Sequence, residues 1–417
     1  MIQPLEIDST GALKIQFPCI IFDCLKEHMK VSFDNTKVAF ANKTDFDLKK
    51  GYWLFKLVSS PTLVKLGKYS VNFALALRIP IGWALKKNIF SQFCGGETIE
   101  ECASTTRVLD QLNVGTILDY SVEGKDSIED LENTSAEILE TVNTANDNEH
   151  IPFCVFKVTG VARFGLLQKV NEKHVLSTGE QQEFDALLAR VDRIAKRAFE
   201  TGTPVFVDAE ESWIQDAIDD LTHDLMEKYN KEKVIVYNTA QMYRHDRLAF
   251  LEKMFAEAKT KGYHYGVKLV RGAYMEKERD RAEERNYPSP IQPDKASSDR
   301  DFDAALELCL KNIDHTALVA GSHNEKSALV LVDLMSKHGV VPSDPRIYFA
   351  QLFGMSDHIS FNLSHAGFNV AKYVPYGPIR EVIPYLIRRA QENTSVKGQT
   401  GRELSLIMKE LKRRKQS

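Results

Sequence analysis

PVFVDAEESWIQDAIDDLTHDLMEKYNKEKVIVYN (204–238) reads as a strand, a helical stretch and a second strand. Both flanking runs are nearly continuous in apolar residues, as in strands buried on two faces. The stretch between them is long enough for a crossover helix. Six further β-rich runs share this spacing: GTILDY (115–120), PFCVFKV (152–158), YGVKLV (265–270), TALVAG (316–321), RIYFAQ (346–351) and NVAKYV (369–374). The fourth strand of the series is read at 233–238. Eight strand–helix units in a row predict an α/β protein with a closed (β/α)8 barrel. The sequence holds neither GxGxxG nor GxxxxGK[ST], which disfavours a dinucleotide-binding sheet and a phosphate-binding P-loop.

Around that barrel, residues 1–100 read as a helical region, 101–400 as the barrel unit and 401–417 as a helical tail with a solvated basic end. Residues 122–150 form the first crossover. Residues 276–303, charged and broken by prolines, read as a long loop after the fifth strand, on the side where barrel chemistry sits. The 417 residues carry 54 basic and 58 acidic side chains, a formal net charge of -4, so nothing points to nucleic acid as a partner. Six cysteines without a CxxC pair read as reduced structural thiols. The start lacks the pattern of a secretory signal. The apolar stretch 69–83 is too short and too broken to span a bilayer; it reads as a buried helix or a membrane-surface segment. The histidines show no zinc spacing, so no metal is expected.

Side chains at the ends of the runs are unusually polar. Glu123 follows the first, Lys157 lies in the second, and Asp208 and Glu210 end the third. Asn238 and Gln241 follow the fourth, Lys268 and Arg271 the fifth, and His323 and Asn324 the sixth. Gln351 ends the seventh, Tyr373 lies in the eighth, and Arg388 and Arg389 sit on the helix after it. Any one of these can be a buried ion pair with no further role. So many at one rim imply a ligand charged on several atoms, because buried ions are costly unless paired. The residue types alone leave open a Schiff-base aldolase using Lys157 or Lys268, or a barrel that only binds a small anion.

The motifs DAEESWIQDAI, YNTAQMY, VKLVRGAYMEKER, GSHNEKS, YFAQLFGMSDHISFNL and KYVPYGPIREVIPYLIRRAQEN, in order across about 204–393 with GTILDYSVEG before them, resemble the proline dehydrogenase family, and its single-function eukaryotic type more than its bacterial one. The resemblance implies a distorted (β/α)8 barrel, FAD as cofactor, oxidation of L-proline to Δ1-pyrroline-5-carboxylate, and a quinone as electron acceptor. A peripheral membrane contact follows, in the cytoplasm at the inner membrane or on the matrix side of a mitochondrion. Hydroxyproline is the nearest alternative substrate.

By resemblance, Arg388, Arg389 and Lys157 hold the substrate carboxylate, and Glu123 pairs with the first arginine. Tyr373, Tyr274 and Leu352 wall the ring, Asp208 and Ala209 line the pocket, and Glu392 lies close to the tyrosines. Asp208, Gln241, Lys268, Val270, Gly272, Ala273, Tyr274, His323 and Asn324 match positions around the flavin. Many bacterial members have Arg at the position of Lys268, so here the charge is kept and the bidentate fork is lost.

Overall fold

The computed structural model describes residues 31–58, 60, 62, 66, 69, 89–122, 126–395 and 399–416. Eight parallel strands close into a barrel in sequence order: β1 (Gly115–Tyr120), β2 (Phe153–Lys157), β3 (Val205–Asp208), β4 (Val236–Gln241), β5 (Tyr265–Val270), β6 (Thr316–Gly321), β7 (Ile347–Leu352) and β8 (Val370–Tyr376). β8 returns to β1, with Tyr373 beside Ile117. The expected (β/α)8 architecture is therefore present.

Alternation along each strand sorts side chains between two cores. Ile117, Phe153, Val155, Phe206, Tyr237, Val319, Ala350 and Tyr373 point inward and fill the barrel. Phe153 stacks on Phe206 with centroids 4.6 Å apart, and Tyr237 and Tyr348 meet Phe153 edge-on, which closes the interior below the mouth. Outward residues such as Leu118, Cys154, Val207, Val267 and Leu318 join the larger core under the helices. Helix starts follow local chemistry: Ser177 and Glu180 form a reciprocal capping box before Thr178–Thr201, which satisfies two backbone N–H groups left over at a helix start.

Three expectations are corrected. The fourth strand runs over Val236–Gln241, three residues later than read, because the Asn230 side chain accepts the N–H groups of Ile235 and Val236 at 2.9 Å each. Asn238 consequently lies within the strand and donates to Asp219 at 2.8 Å, on the helix side of the wall and away from the mouth. Residues 276–303 are not one loop: they contain most of a helix, Met275–Arg285, and the start of the crossover helix Lys295–Lys311. Finally, the tail is not solvated along its length. Gln399–Lys415 is a helix whose Leu406 and Ile407 pack on Ala39, Phe40, Leu48 and Phe55.

Polar groups also tie the layers together. Lys372 of β8 is fully buried outside the barrel; it pairs with Asp357 at 2.9 Å and donates to the Met355 carbonyl at 2.5 Å. Past β3, the buried Glu210 carboxylate accepts the Thr159 N–H at 3.0 Å and also the Thr159 hydroxyl. This joins the loops after β2 and β3. Burial pushes the Glu210 carboxyl up to about 7, from an ordinary value of 4.5, against the Thr159 hydrogen bonds.

That shift has a sign. The unfolded chain releases the proton first, so this group's contribution to stability falls as pH rises from about 4.5 to about 7, by about 3 kcal/mol in total. Glu210→Gln, which keeps both contacts to Thr159, removes the slope. Urea unfolding at several pH values should show the variant gaining on the parent across this window; parallel pH profiles would contradict the assignment.

Candidate active site

At the carboxyl ends of the strands the inward positions turn from apolar to charged. Asp119 of β1 follows Ile117 on the same face, Lys157 follows Val155, Asp208 follows Phe206, and Lys268 follows Gly266. Lys157 Nζ lies 3.6 Å from Asp119 Oδ1 and 3.5 Å from Asp208 Oδ2. Lys268 donates to Asp208 Oδ1, and to the Tyr373 hydroxyl at 2.5 Å. Register explains the contact, since Lys157 and Asp208 are direct neighbours across β2 and β3.

The result is a ladder, Asp119–Lys157–Asp208–Lys268–Tyr373, over an aromatic floor. Lys268 Nζ also sits 4.6 Å from the Tyr373 ring centre, a favourable cation–π arrangement. Burial opposes the Asp208 charge, but Lys268 and Lys157 outweigh it and hold its carboxyl below the ordinary value. Burial lowers the Lys268 ammonium, with Asp208 working against it. Burial raises the Tyr373 hydroxyl well above its usual range, and Asp208 and Asp119 add to the effect. Asp119 was not among the residues singled out from sequence, although its spacing from Ile117 placed it on the inner face. With it, two lysines face two aspartates, so the ladder itself carries no excess charge.

After β8 comes the helix Ile379–Ser395. Val382, Tyr385 and Leu386 anchor it on Phe90, Phe93, Cys94 and Met355. Arg389 is 8% exposed, with its guanidinium carbon 5.3 Å from the Tyr385 ring centre; Arg388 is half-buried. Burial pushes the His323 imidazole down to about 3, and the charges of Lys372 and Arg389 press the same way. His323 Nδ1 is 2.9 Å from the Ser356 hydroxyl. The ladder thus joins the ends of β1, β2, β3, β5 and β8, and the His323–Ser356 contact joins the turns after β6 and β7.

Most of the remaining sequence-predicted residues lie at strand ends or in the turns that follow them. Leu352 packs at the edge of the inner core beside Tyr373, and Ala209 is buried just past β3. Val270 and Gln241 end β5 and β4, paired across the wall. Gln241 is buried, yet its Oε1 has no hydrogen-bond partner. Gly272 has φ +125°, and a Cβ there would run into the Tyr243 ring; Gly272 and Ala273 are exposed. Tyr274 stands at the N-cap position of the helix that follows, without a side-chain capping bond. Asn324 caps Glu325–Lys337 through its side chain, and Arg271 braces this region by donating to Asp299 at 2.7 Å and to Ser322 and Ser327 at 2.8 Å. Glu123 and the Glu392 side chain lie outside the described residues. No cluster among the described residues is arranged to hold a metal ion, and no helix among them is long and apolar enough to cross a membrane.

Comparison with known proteins bears on the family and the fold. The family model described as proline dehydrogenase matches residues 102–402, from the helix before β1 to the start of the tail. The chain is similar to "Proline dehydrogenase 1, mitochondrial" of Dictyostelium discoideum, at 32% identity over 92% of this chain and 75% of that one. It is also similar to "Hydroxyproline dehydrogenase" of Xenopus laevis, at 32% identity over 90% of this chain and 88% of the other. Among solved structures, proline utilization A from Bdellovibrio bacteriovorus, inactivated by N-propargylglycine, superposes with a TM-score of 0.67 at 19% identity. That match covers 90% of this chain and 41% of the longer one, and it bears on the fold alone. With the family model spanning the barrel and relatives matched over most of both chains, the chain belongs to the proline dehydrogenase family.

Proposed function

We propose that the protein oxidises L-proline to Δ1-pyrroline-5-carboxylate, using FAD and passing the electrons to a quinone. The observation that carries this reading is the mouth itself: two lysines held by two aspartates on the inner wall, and after β8 a helix with a buried Arg389 whose charge acts on His323. A cyclic amino acid offers a carboxylate and an apolar edge, and the mouth offers cations for the first and apolar walls for the second.

In this reading Arg388, Arg389 and Lys157 hold the carboxylate; guanidinium forks suit a planar anion. Leu352, Tyr373 and Tyr274 wall the ring, and Ala209 and Asp208 line its side. Glu123 and Glu392 belong to the same proposal through the family pattern. Asp208, kept ionised by its two lysines, is a poor acceptor for the proton on the proline nitrogen, which leaves to water. Arg388 and Arg389 favour that loss, because like charges nearby disfavour the ammonium form. The clamp fixes the C5–H bond in one direction, and orientation of this kind lowers a barrier by several kcal/mol.

The residues present fit a flavin. The unpartnered Gln241 Oε1, the bare backbone of Gly272 and Ala273, and the braced turn at His323 and Asn324 offer polar and main-chain contacts, with Val270, Lys268 and Tyr274 alongside. FAD held by these residues would supply the hydride acceptor for proline and the means of passing electrons to a quinone. The position of Lys268, buried among these residues, suits a charge that stabilises anionic character in the reduced ring. Tyr373 favours proline over hydroxyproline. It is buried, and its hydroxyl is held by Lys268, so its ring cannot swing aside for a substituent. Quinone use places the protein at a membrane surface, on the matrix side of the inner membrane if the source is eukaryotic.

Purified protein should be yellow, and anaerobic proline should bleach it; a preparation that never takes up FAD contradicts the cofactor assignment. Arg389→Met should raise the proline KM by about two orders of magnitude, the scale of one strong charge-assisted hydrogen bond at about 3 kcal/mol, with the flavin spectrum intact. Steady-state kinetics that return the parent KM would remove Arg389 from the clamp.

A further inference from the structure

The helix Gln399–Lys415 follows the barrel in sequence, yet its first turns reach the mouth. Its far half is fixed on its own account. Leu406 and Ile407 sit in an apolar cluster with Phe40 and Phe55, and Arg414 donates to Asp45 and to the carbonyls of Phe40 and Lys43, each at 2.9 Å. Its near half meets the turns after β6 and β7. Arg402 donates to Glu325 Oε1 at 2.7 Å, and the same oxygen lies 2.9 Å from His358 Nε2. Glu403, 4% exposed, accepts the Ser356 backbone N–H at 2.6 Å.

Ser356 has φ +51°, in the left-handed region that residues with a Cβ avoid unless their surroundings hold them. The bond to Glu403 is such a restraint. The Ser356 hydroxyl lies 2.9 Å from His323 Nδ1. A hydrogen bond at one imidazole nitrogen selects which nitrogen carries the proton, and so what the other presents. A carboxylate taken this far out of water needs partners, and Glu403 finds them in a mouth turn, with His358 Nδ1 at 3.7 Å.

We propose that Glu403 is a positioning residue for the cofactor turn: it holds Ser356 in its left-handed conformation, and the Ser356 hydroxyl thereby fixes the His323 ring. The link from Glu403 to His323 stands on the contacts above; its effect on the flavin rests on the function proposed in the preceding section.

The test compares full-length Glu403→Ala, Glu403→Gln and Ser356→Ala with the parent. FAD release on dilution of the purified holoenzyme is followed by flavin fluorescence. The ring-nitrogen resonances of His323 are followed by NMR, assigned by their loss in His323→Asn. Glu403→Ala should weaken FAD retention at least tenfold and move the His323 resonances. Glu403→Gln, whose amide oxygen still accepts the Ser356 N–H, should stay within threefold of the parent. Ser356→Ala leaves the tail bond in place and removes only the hydroxyl, so it should reproduce the Glu403→Ala effects and keeps the test decisive if Glu403→Ala fails to fold. Unmoved His323 resonances, or FAD retention within twofold of the parent in either alanine variant, overturn the proposal. A parent that takes up no FAD sinks the flavin reading instead, and the His323 resonances then decide the Glu403 link alone.

Discussion

A lysine on the inner wall of a closed barrel has to be neutralised where it stands, because removing a charge from water costs several kcal/mol unless a partner is already in place. Asp208 meets that requirement twice, facing Lys157 on one side and Lys268 on the other. The arrangement exists only if β2, β3 and β5 keep their registers. A one-residue slip in any of these strands would turn its charged residue into the outer core. Closure of the barrel and assembly of the mouth are therefore one event, and the apolar residues below the ladder share in it.

Each part of the mouth is then braced from outside. The aromatic floor of Phe153, Phe206 and Tyr237 supports the ladder from beneath. On the outer side of β8, Lys372 draws the Met355 carbonyl and Asp357 toward the wall, fixing the turn that carries Ser356. The helix Ile379–Ser395 carries the buried Arg389, and Gln399–Lys415 contacts the turn after β7 and the helix after β6.

The strands were legible because burial on both faces makes their runs apolar throughout, and seven of the eight were read close to their observed positions. The fourth was misplaced because Val234 and Ile235 extend the apolar run, while the choice of first strand residue belongs to the Asn230 side chain. That contact leaves no mark in local composition. Met275–Arg285 was hidden because almost every residue is charged and only Glu278 and Ala282 are buried. Glu278 is satisfied by Ser212, 66 residues away, at 2.6 Å. The tail misled in a similar way, since its buried Glu403 and Glu410 look like solvent positions until their partners are known. At the mouth, Lys157, Asp208, Lys268 and Tyr373 were found from strand-end position and family pattern. Asp119 was passed over, although simple alternation marks it.

The most direct measurement is a crystal structure with a five-membered ring carboxylic acid that cannot be oxidised at the ring nitrogen. The carboxylate should lie within hydrogen-bond distance of Lys157 and Arg389, with the far edge of the ring against Tyr373 and Leu352. A ligand seated outside the barrel mouth, or one with its carboxylate turned away from both cations, would contradict the account.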